Sequence, residues 1–188
     1  MDETEKNLSL GFSPCPNDTY IFYALATGRV TVPHHRFQVM LADVEALNQQ
    51  ARQGVLDVTK ISASAVLQLL NGYWLLRSGG ALGRGCGPIV VAREPMAMEE
   101  LRDRTIAIPG RLTTANLLLR LNGIHRGRTI EMGFDRIMPA VAAGEADAGV
   151  VIHEGRFTFA SHGLVRVLDL GAWWEAETGL PLPLVRSR

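Results

Sequence analysis

Cysteine is nearly absent from this sequence: Cys15 and Cys86 are the only two in 188 residues. They form no Cys-x-x-Cys pair and have no histidine at ligand spacing, which argues against a structural zinc or a disulfide framework and fits a reducing compartment. An excess of one charge is lacking as well. Nineteen Lys plus Arg offset nineteen Asp plus Glu, so no global field draws the chain to nucleic acid or to an anionic membrane, and neither is expected as a partner. The longest apolar run, Gly149 to Ile152 with its flanks, falls far short of the roughly 20 residues that span a bilayer. The opening Met1-Asp2-Glu3-Thr4-Glu5-Lys6-Asn7 is charged, with no apolar stretch ending in small residues. No secretory signal is read there, and a cytoplasmic location is expected. Also missing are a Gly-x-Ser-x-Gly elbow, a His-Glu-x-x-His pair, an Asp-rich calcium loop and both glycine-rich phosphate motifs, so no metal or nucleotide cofactor is expected.

What is present is enough to fold: 47% of residues are hydrophobic and 20% charged, a balance that excludes a disordered tail. Short apolar runs alternate with helical patterns that carry their own start and stop residues, the grammar of an α/β fold. Leu8–Phe12 reads as a strand, and Ser13 to Asn17 as a turn. Asp18 reads as the N-cap of a helix that runs to Thr27 and stops at Gly28. Strand Phe37–Leu41 precedes a helix capped by Asp43, running through Arg52 and ended by Gly54. Val58–Ile61 is a third strand, Ser62 stands where a helix N-cap is expected, and Trp74–Arg77 reads as a further strand. The glycine run from Gly79 to Gly87 then marks a hinge between lobes. Beyond it come strand Ile89–Ala92, a helix around Met98–Arg102, strand Thr105–Ile108 and a helix from Thr113 to Asn122 stopped by Gly123. Strand Ile130–Met132, a helix capped by Asp135 and stopped by Gly144, and strands Ala148–Ile152 and Leu164–Leu168 follow. Prolines hold Gly179 to Leu184 extended. The expected domains are a first α/β lobe over 1–83, a second over 84–178, and the start of a crossover back to the first over 179–188.

His153 directly follows the apolar run Gly149–Ile152, at the carboxyl end of a buried strand. That edge is where ligands bind in open α/β sheets. Imidazole titrates near neutrality and can take a proton from a bound substrate without a metal; the bland reading is a partly buried structural histidine. Glu154 and Arg156 are candidates to orient it. With Thr113 as N-cap, the amides of Thr114 and Ala115 lack helical partners and attract anions, and either threonine hydroxyl adds a donor; the bland reading is an ordinary capped helix. Lys60-Ile61-Ser62 repeats this arrangement in the first lobe, and two such helix starts facing one cleft would grip one anionic ligand. Ser13 to Asp18 is a third, weaker candidate. Trp173 and Trp174 read as packing residues.

Five strings, in order, carry a resemblance: Ser13-Pro14-Cys15-Pro16-Asn17-Asp18-Thr19, Lys60-Ile61-Ser62, Arg77 to Gly85, Ile152-His153-Glu154-Gly155-Arg156-Phe157-Thr158, and Asp169-Leu170-Gly171-Ala172-Trp173-Trp174. Together they resemble the 1,4-dihydroxy-6-naphthoate synthases of the futalosine route to menaquinone, over Leu8 to about Leu184. The Pro-Cys-Pro opening separates this branch from the sister chorismate dehydratases. The resemblance implies a two-lobed type II periplasmic-binding-protein fold and a lyase that converts cyclic dehypoxanthinyl futalosine to 1,4-dihydroxy-6-naphthoate and dihydroxyacetone. It implies a small anionic substrate and no cofactor or metal. The family's proton-accepting histidine falls on His153, and its substrate-binding segments on Lys60, Ile61 and Ser62 and on Thr114 and Ala115. Family chains continue past Leu184, so the first lobe is expected to be incomplete here, with pairing to a second copy as one way to cover it. A non-catalytic solute-binding domain is the competing reading, because one fold serves both roles.

Overall fold

A computed structural model describes residues 5–182. Residues 183–188 of the expected crossover over 179–188, and the opening Met1 to Thr4, lie outside the described residues. The chain divides into two compact units, Met1–Ala81 and Leu82–Arg188.

Unit 1 is built on three parallel strands, β1 (Lys6–Phe12), β2 (His35–Leu41) and β3 (Val58–Thr59), in the order β2-β1-β3. Helices α1 (Pro16–Ala26) and α2 (Val44–Arg52) connect them. The Asp43 carboxylate accepts from the Ala46 amide and starts α2 as expected. Two expectations about helix starts fail. Cys15, not Asp18, is the N-cap of α1, because Pro16 can occupy the first helical position without losing a hydrogen bond, which leaves Asp18 inside the first turn. Ser62 opens only a three-residue 3-10 turn, followed by the short α3 (Val66–Leu69), and its side chain caps nothing. Trp74–Arg77 forms no strand. Trp74, Leu75 and Leu76 are exposed and no described edge pairs with them; an apolar run becomes a strand only where a neighbour's backbone accepts it. The core is small, with Leu10, Phe12, Leu47, Leu56 and Leu69 buried and Phe12 stacked on Phe22.

Unit 2 carries a five-stranded mixed sheet in the order β6-β5-β7-β4-β8. Its strands are β4 (Ile89–Ala92), β5 (Ile106–Ile108), β6 (Thr129–Glu131), β7 (Ala148–Val151) and β8 (Val165–Asp169). Strands β5, β6 and β7 run parallel, while β4 is antiparallel to both of its neighbours. Alternation along β4 sends Val90 and Ala92 to one face and Ile89 and Val91 to the other. Helices α4 (Thr114–Asn122) and α7 (Leu170–Thr178) cover the first face through Leu118, Leu119 and Leu170, and α5 (Phe134–Ala143) covers the second through Ile137 and Val141. Sheet residues buried on both sides leave β4 and β7 wholly inaccessible, as their uninterrupted apolar sequences require. Gly149 permits the close approach of α5, since a Cβ there would lie 2.4 Å from Ile137 Cγ2. Gly123 and Gly144 end α4 and α5 in the left-handed conformation as expected. Asp135 lies inside α5 rather than capping it; the N-cap is Gly133. Met98–Leu101 is a 3-10 turn, not an α-helix. Helix α7 and the short α6 (Gly155–Thr158) are elements the sequence reading does not contain.

Candidate functional site

In unit 1 the parallel strands bring all three following loops to one edge. Ser13 leaves β1 and Lys60, Ile61 and Ser62 leave β3 there. Asp18 organises the group. Its side chain is 7% exposed, one oxygen accepts from the Lys60 ammonium at 3.1 Å, and the other accepts from the Ser13 amide at 3.1 Å and hydroxyl at 2.8 Å. An ammonium has three donors, so Asp18 fixes Lys60 and leaves its remaining donors for a ligand. Asn48, fully buried on α2, receives the Ser62 amide at 2.9 Å and donates to the Ser62 hydroxyl oxygen at 3.0 Å. Among the described residues the Ser62 hydroxyl donates to no acceptor. Sequence reasoning gives Asp18 only as a helix N-cap and as the end of the weaker Ser13 to Asp18 candidate, and it misses Asn48. The one signal for Asn48 is its place beside Leu47 and one turn before Ala51 on a face otherwise apolar; the pairing of Asp18 with Lys60 has no local signal, because the two lie 42 residues apart.

Unit 2 brings the other predicted residues together on one sheet edge. Strands β5 and β7 are parallel neighbours, with Ala107 opposite Gly149, so Thr113, Thr114 and Ala115 after β5 share an edge with His153 after β7. Thr113 is buried; its hydroxyl donates to the Gly110 carbonyl at 2.7 Å and accepts from the Asn116 amide at 3.2 Å. Both of its roles are therefore spent on the turn, and a ligand would meet the backbone amides of Thr114 and Ala115 and the half-buried Thr114 hydroxyl. Ala115 is 3% exposed, so only its amide is offered. Arg111 pairs with Glu131 at 2.6 Å and its amide donates to the same carboxylate, tying the loop to the end of β6.

His153 is exposed and has φ +54°. A side chain held in that left-handed region costs about 1–3 kcal/mol, which the surrounding structure must offset. Its ring meets Phe134 edge-on at 5.5 Å, and among the described residues no group hydrogen-bonds either ring nitrogen. Among the described residues neither expected orienting neighbour hydrogen-bonds the ring, although the Arg156 amide donates to the His153 carbonyl at 3.2 Å. Glu154 points no bond at the ring, and Arg156 donates to Asp169 at 2.5 Å and to the Gly87 carbonyl at 3.0 Å. Burial alone would raise the Asp169 carboxyl, but hydrogen bonds from Arg156 and from the Ala172 amide, with the guanidinium charges of Arg156 and Arg166, hold it below the usual carboxylate range. Arg156 is raised by its hydrogen bond to Asp169. Among the described residues no group of three His, Cys, Asp or Glu could hold a metal ion.

An unengaged imidazole beside anion-attracting amides is a general arrangement, and comparison with known proteins gives it a family. A family model described as menaquinone biosynthesis matches residues 8–185. This chain belongs to that family. Curated 1,4-dihydroxy-6-naphthoate synthases match along 94% of the chain, the one from Thermus thermophilus at 57% identity and the one from Streptomyces coelicolor at 47%. The chain spans 64% of the length of each. A solved structure of a protein from Archaeoglobus fulgidus superposes with a TM-score of 0.86 at 41% identity, covering 94% of this chain and 65% of that one. The alkanesulfonate-binding protein of Xanthomonas axonopodis superposes with a TM-score of 0.68 at 14% identity over 88% of this chain and 61% of its own, a likeness of fold alone. Like these neighbours, the family member described here has the two-lobed α/β fold of periplasmic solute-binding proteins. None of its described helices is long and apolar enough to cross a membrane.

Proposed function

We propose that this chain carries the chemistry of 1,4-dihydroxy-6-naphthoate synthesis in the futalosine route to menaquinone, as a carbon–carbon lyase with His153 as general base. The observation that carries this reading is the presentation of His153: an imidazole set at the carboxyl end of β7, on the edge where α4 begins, with neither ring nitrogen hydrogen-bonded among the described residues. The names of the relatives support the reaction class. The substrate would be the anionic cyclic dehypoxanthinyl futalosine, its carboxylate received by the Thr114 and Ala115 amides at the positive end of α4. Lys60, Ile61 and Ser62 are proposed as further substrate-binding positions, with Asp18 and Asn48 fixing the first and last of them. His153 removes a proton, the ring opens and a carbon–carbon bond breaks, dihydroxyacetone departs, and aromatisation of the product ring drives the step. A cytoplasmic setting suits the two free thiols.

The test is His153→Ala. A positioned general base contributes about 10²- to 10⁴-fold, so turnover should fall by that factor while substrate binding, followed by calorimetry, persists. Turnover equal to the parent's removes His153 from the mechanism. Substrate binding by the parent chain with no naphthalene absorbance supports a solute-binding role instead, and chorismate consumption would place the chain with the sister dehydratases.

A further inference from the structure

We infer that Arg156 and Asp169 form a clamp that holds the His153 turn in its left-handed conformation, and so act as positioning residues for the proposed base, an inference that rests on the reading of His153 given above. Three loops meet at one edge of the unit 2 sheet because Ile89 is opposite both Val151 and Asp169 in the register. They are the segment entering β4, the His153 turn leaving β7, and the turn from β8 into α7. Arg156 stands three residues after His153, and its guanidinium spans the other two loops, donating through one nitrogen to the Gly87 carbonyl and through another to Asp169. Both partners are largely buried, with side chains 16% and 14% exposed. The second oxygen of Asp169 accepts from the Ala172 amide at 3.0 Å, which fixes the carboxylate from the α7 side. The remaining contacts leave the turn little room. A Cβ at Gly155 would lie 2.3 Å from Val151 Cγ1, so only glycine lets the chain fold back on β7 there, and a Cβ at Gly87 would lie 2.7 Å from Gly171 Cα. A non-glycine φ of +54° carries a conformational cost of about 1–3 kcal/mol, which such constraints offset. The planar fork of Arg156 is suited to the task, since it reaches two acceptors in fixed geometry where a lysine would reach one.

The experiment compares the parent chain with Asp169→Asn, Arg156→Ala, Arg156→Lys and His153→Ala. Asp169→Asn keeps an acceptor for Ala172 and is the variant chosen to stay folded. Displacing a catalytic group by about an ångström costs on the order of 10²-fold, so kcat should fall about 10- to 100-fold in the Asp169 and Arg156 variants with KM changed less than about twofold. Free guanidinium ion should recover part of the loss in Arg156→Ala and none in His153→Ala. Independently of turnover, the His153 ring signals in a ¹H–¹³C correlation spectrum should shift or broaden in Asp169→Asn and Arg156→Lys. His153 signals that coincide with the parent's in both variants overturn the clamp, as does an unaltered kcat in an active chain, or a kcat loss that follows Tm and ignores guanidinium. A parent chain without turnover whose His153 signals still move in the variants defeats the lyase reading and upholds the clamp.

Discussion

Asp18 shows how much one carboxylate can organise. It is buried, and Lys60 and Ser13 satisfy its oxygens. Removing it strands the Lys60 ammonium and two Ser13 donors in a region where unpaired polar groups cost about 1–3 kcal/mol, more for a charge. Asp18→Ala should therefore lower the urea-unfolding free energy by at least about 1–3 kcal/mol, and it should raise KM if Lys60 meets substrate. A stability equal to the parent's would show the network to be dispensable. His153 is legible from its place after an apolar run. The backbone conformation that presents it is not, because φ at that residue is imposed by Gly155, Arg156 and Asp169 through contacts spread over several elements.

At the scale of elements, the helix caps divide into those readable in sequence and those not. Asp43 and Thr113 are identifiable because each stands immediately before a helical pattern and bonds an amide three residues on. Asp18 and Asp135 look the same in a sequence, yet Pro16 and Gly133 begin their helices earlier and draw both carboxylates inside the first turn. Helix α7 goes unread because Gly171 and two tryptophans obscure it, although Asp169 before it and Gly179 after it are ordinary start and stop signals. Asp169 also sets an acid limit. Its ordinary value is 3.8 and the folded protein holds it lower, so on acidification the unfolded chain takes up the proton first. Its stabilisation is complete above about 4 and is lost as pH falls through the depressed folded value. Midpoints of urea unfolding should drop less between pH 5 and pH 2 in Asp169→Asn than in the parent, and parallel curves would refute this.

At the scale of the molecule, the stretch from Trp74 to Gly85 contains no helix or strand and holds Arg77 and Arg84, both exposed. Brief trypsin treatment should cut first at one of them, since exposed irregular chain is the preferred site of nicking. The products expected on a gel are pieces matching the two units, Met1–Ala81 and Leu82–Arg188; a first cut within α4 or α5 would contradict the division. The strands of both sheets, the buried character of β4 and β7, the capped start of α4 and the strand-end place of His153 follow from local pattern, because apolar runs, caps and glycine stops act over a few residues; α6, α7 and the unpaired run Trp74–Arg77 do not. The pairing of Asp18 with Lys60, of Asn48 with Ser62 and of Arg156 with Asp169 was settled only by tertiary folding. Those partners lie 13 to 42 residues apart, and such a distance is closed by sheet register and helix packing, which no local pattern of residues encodes.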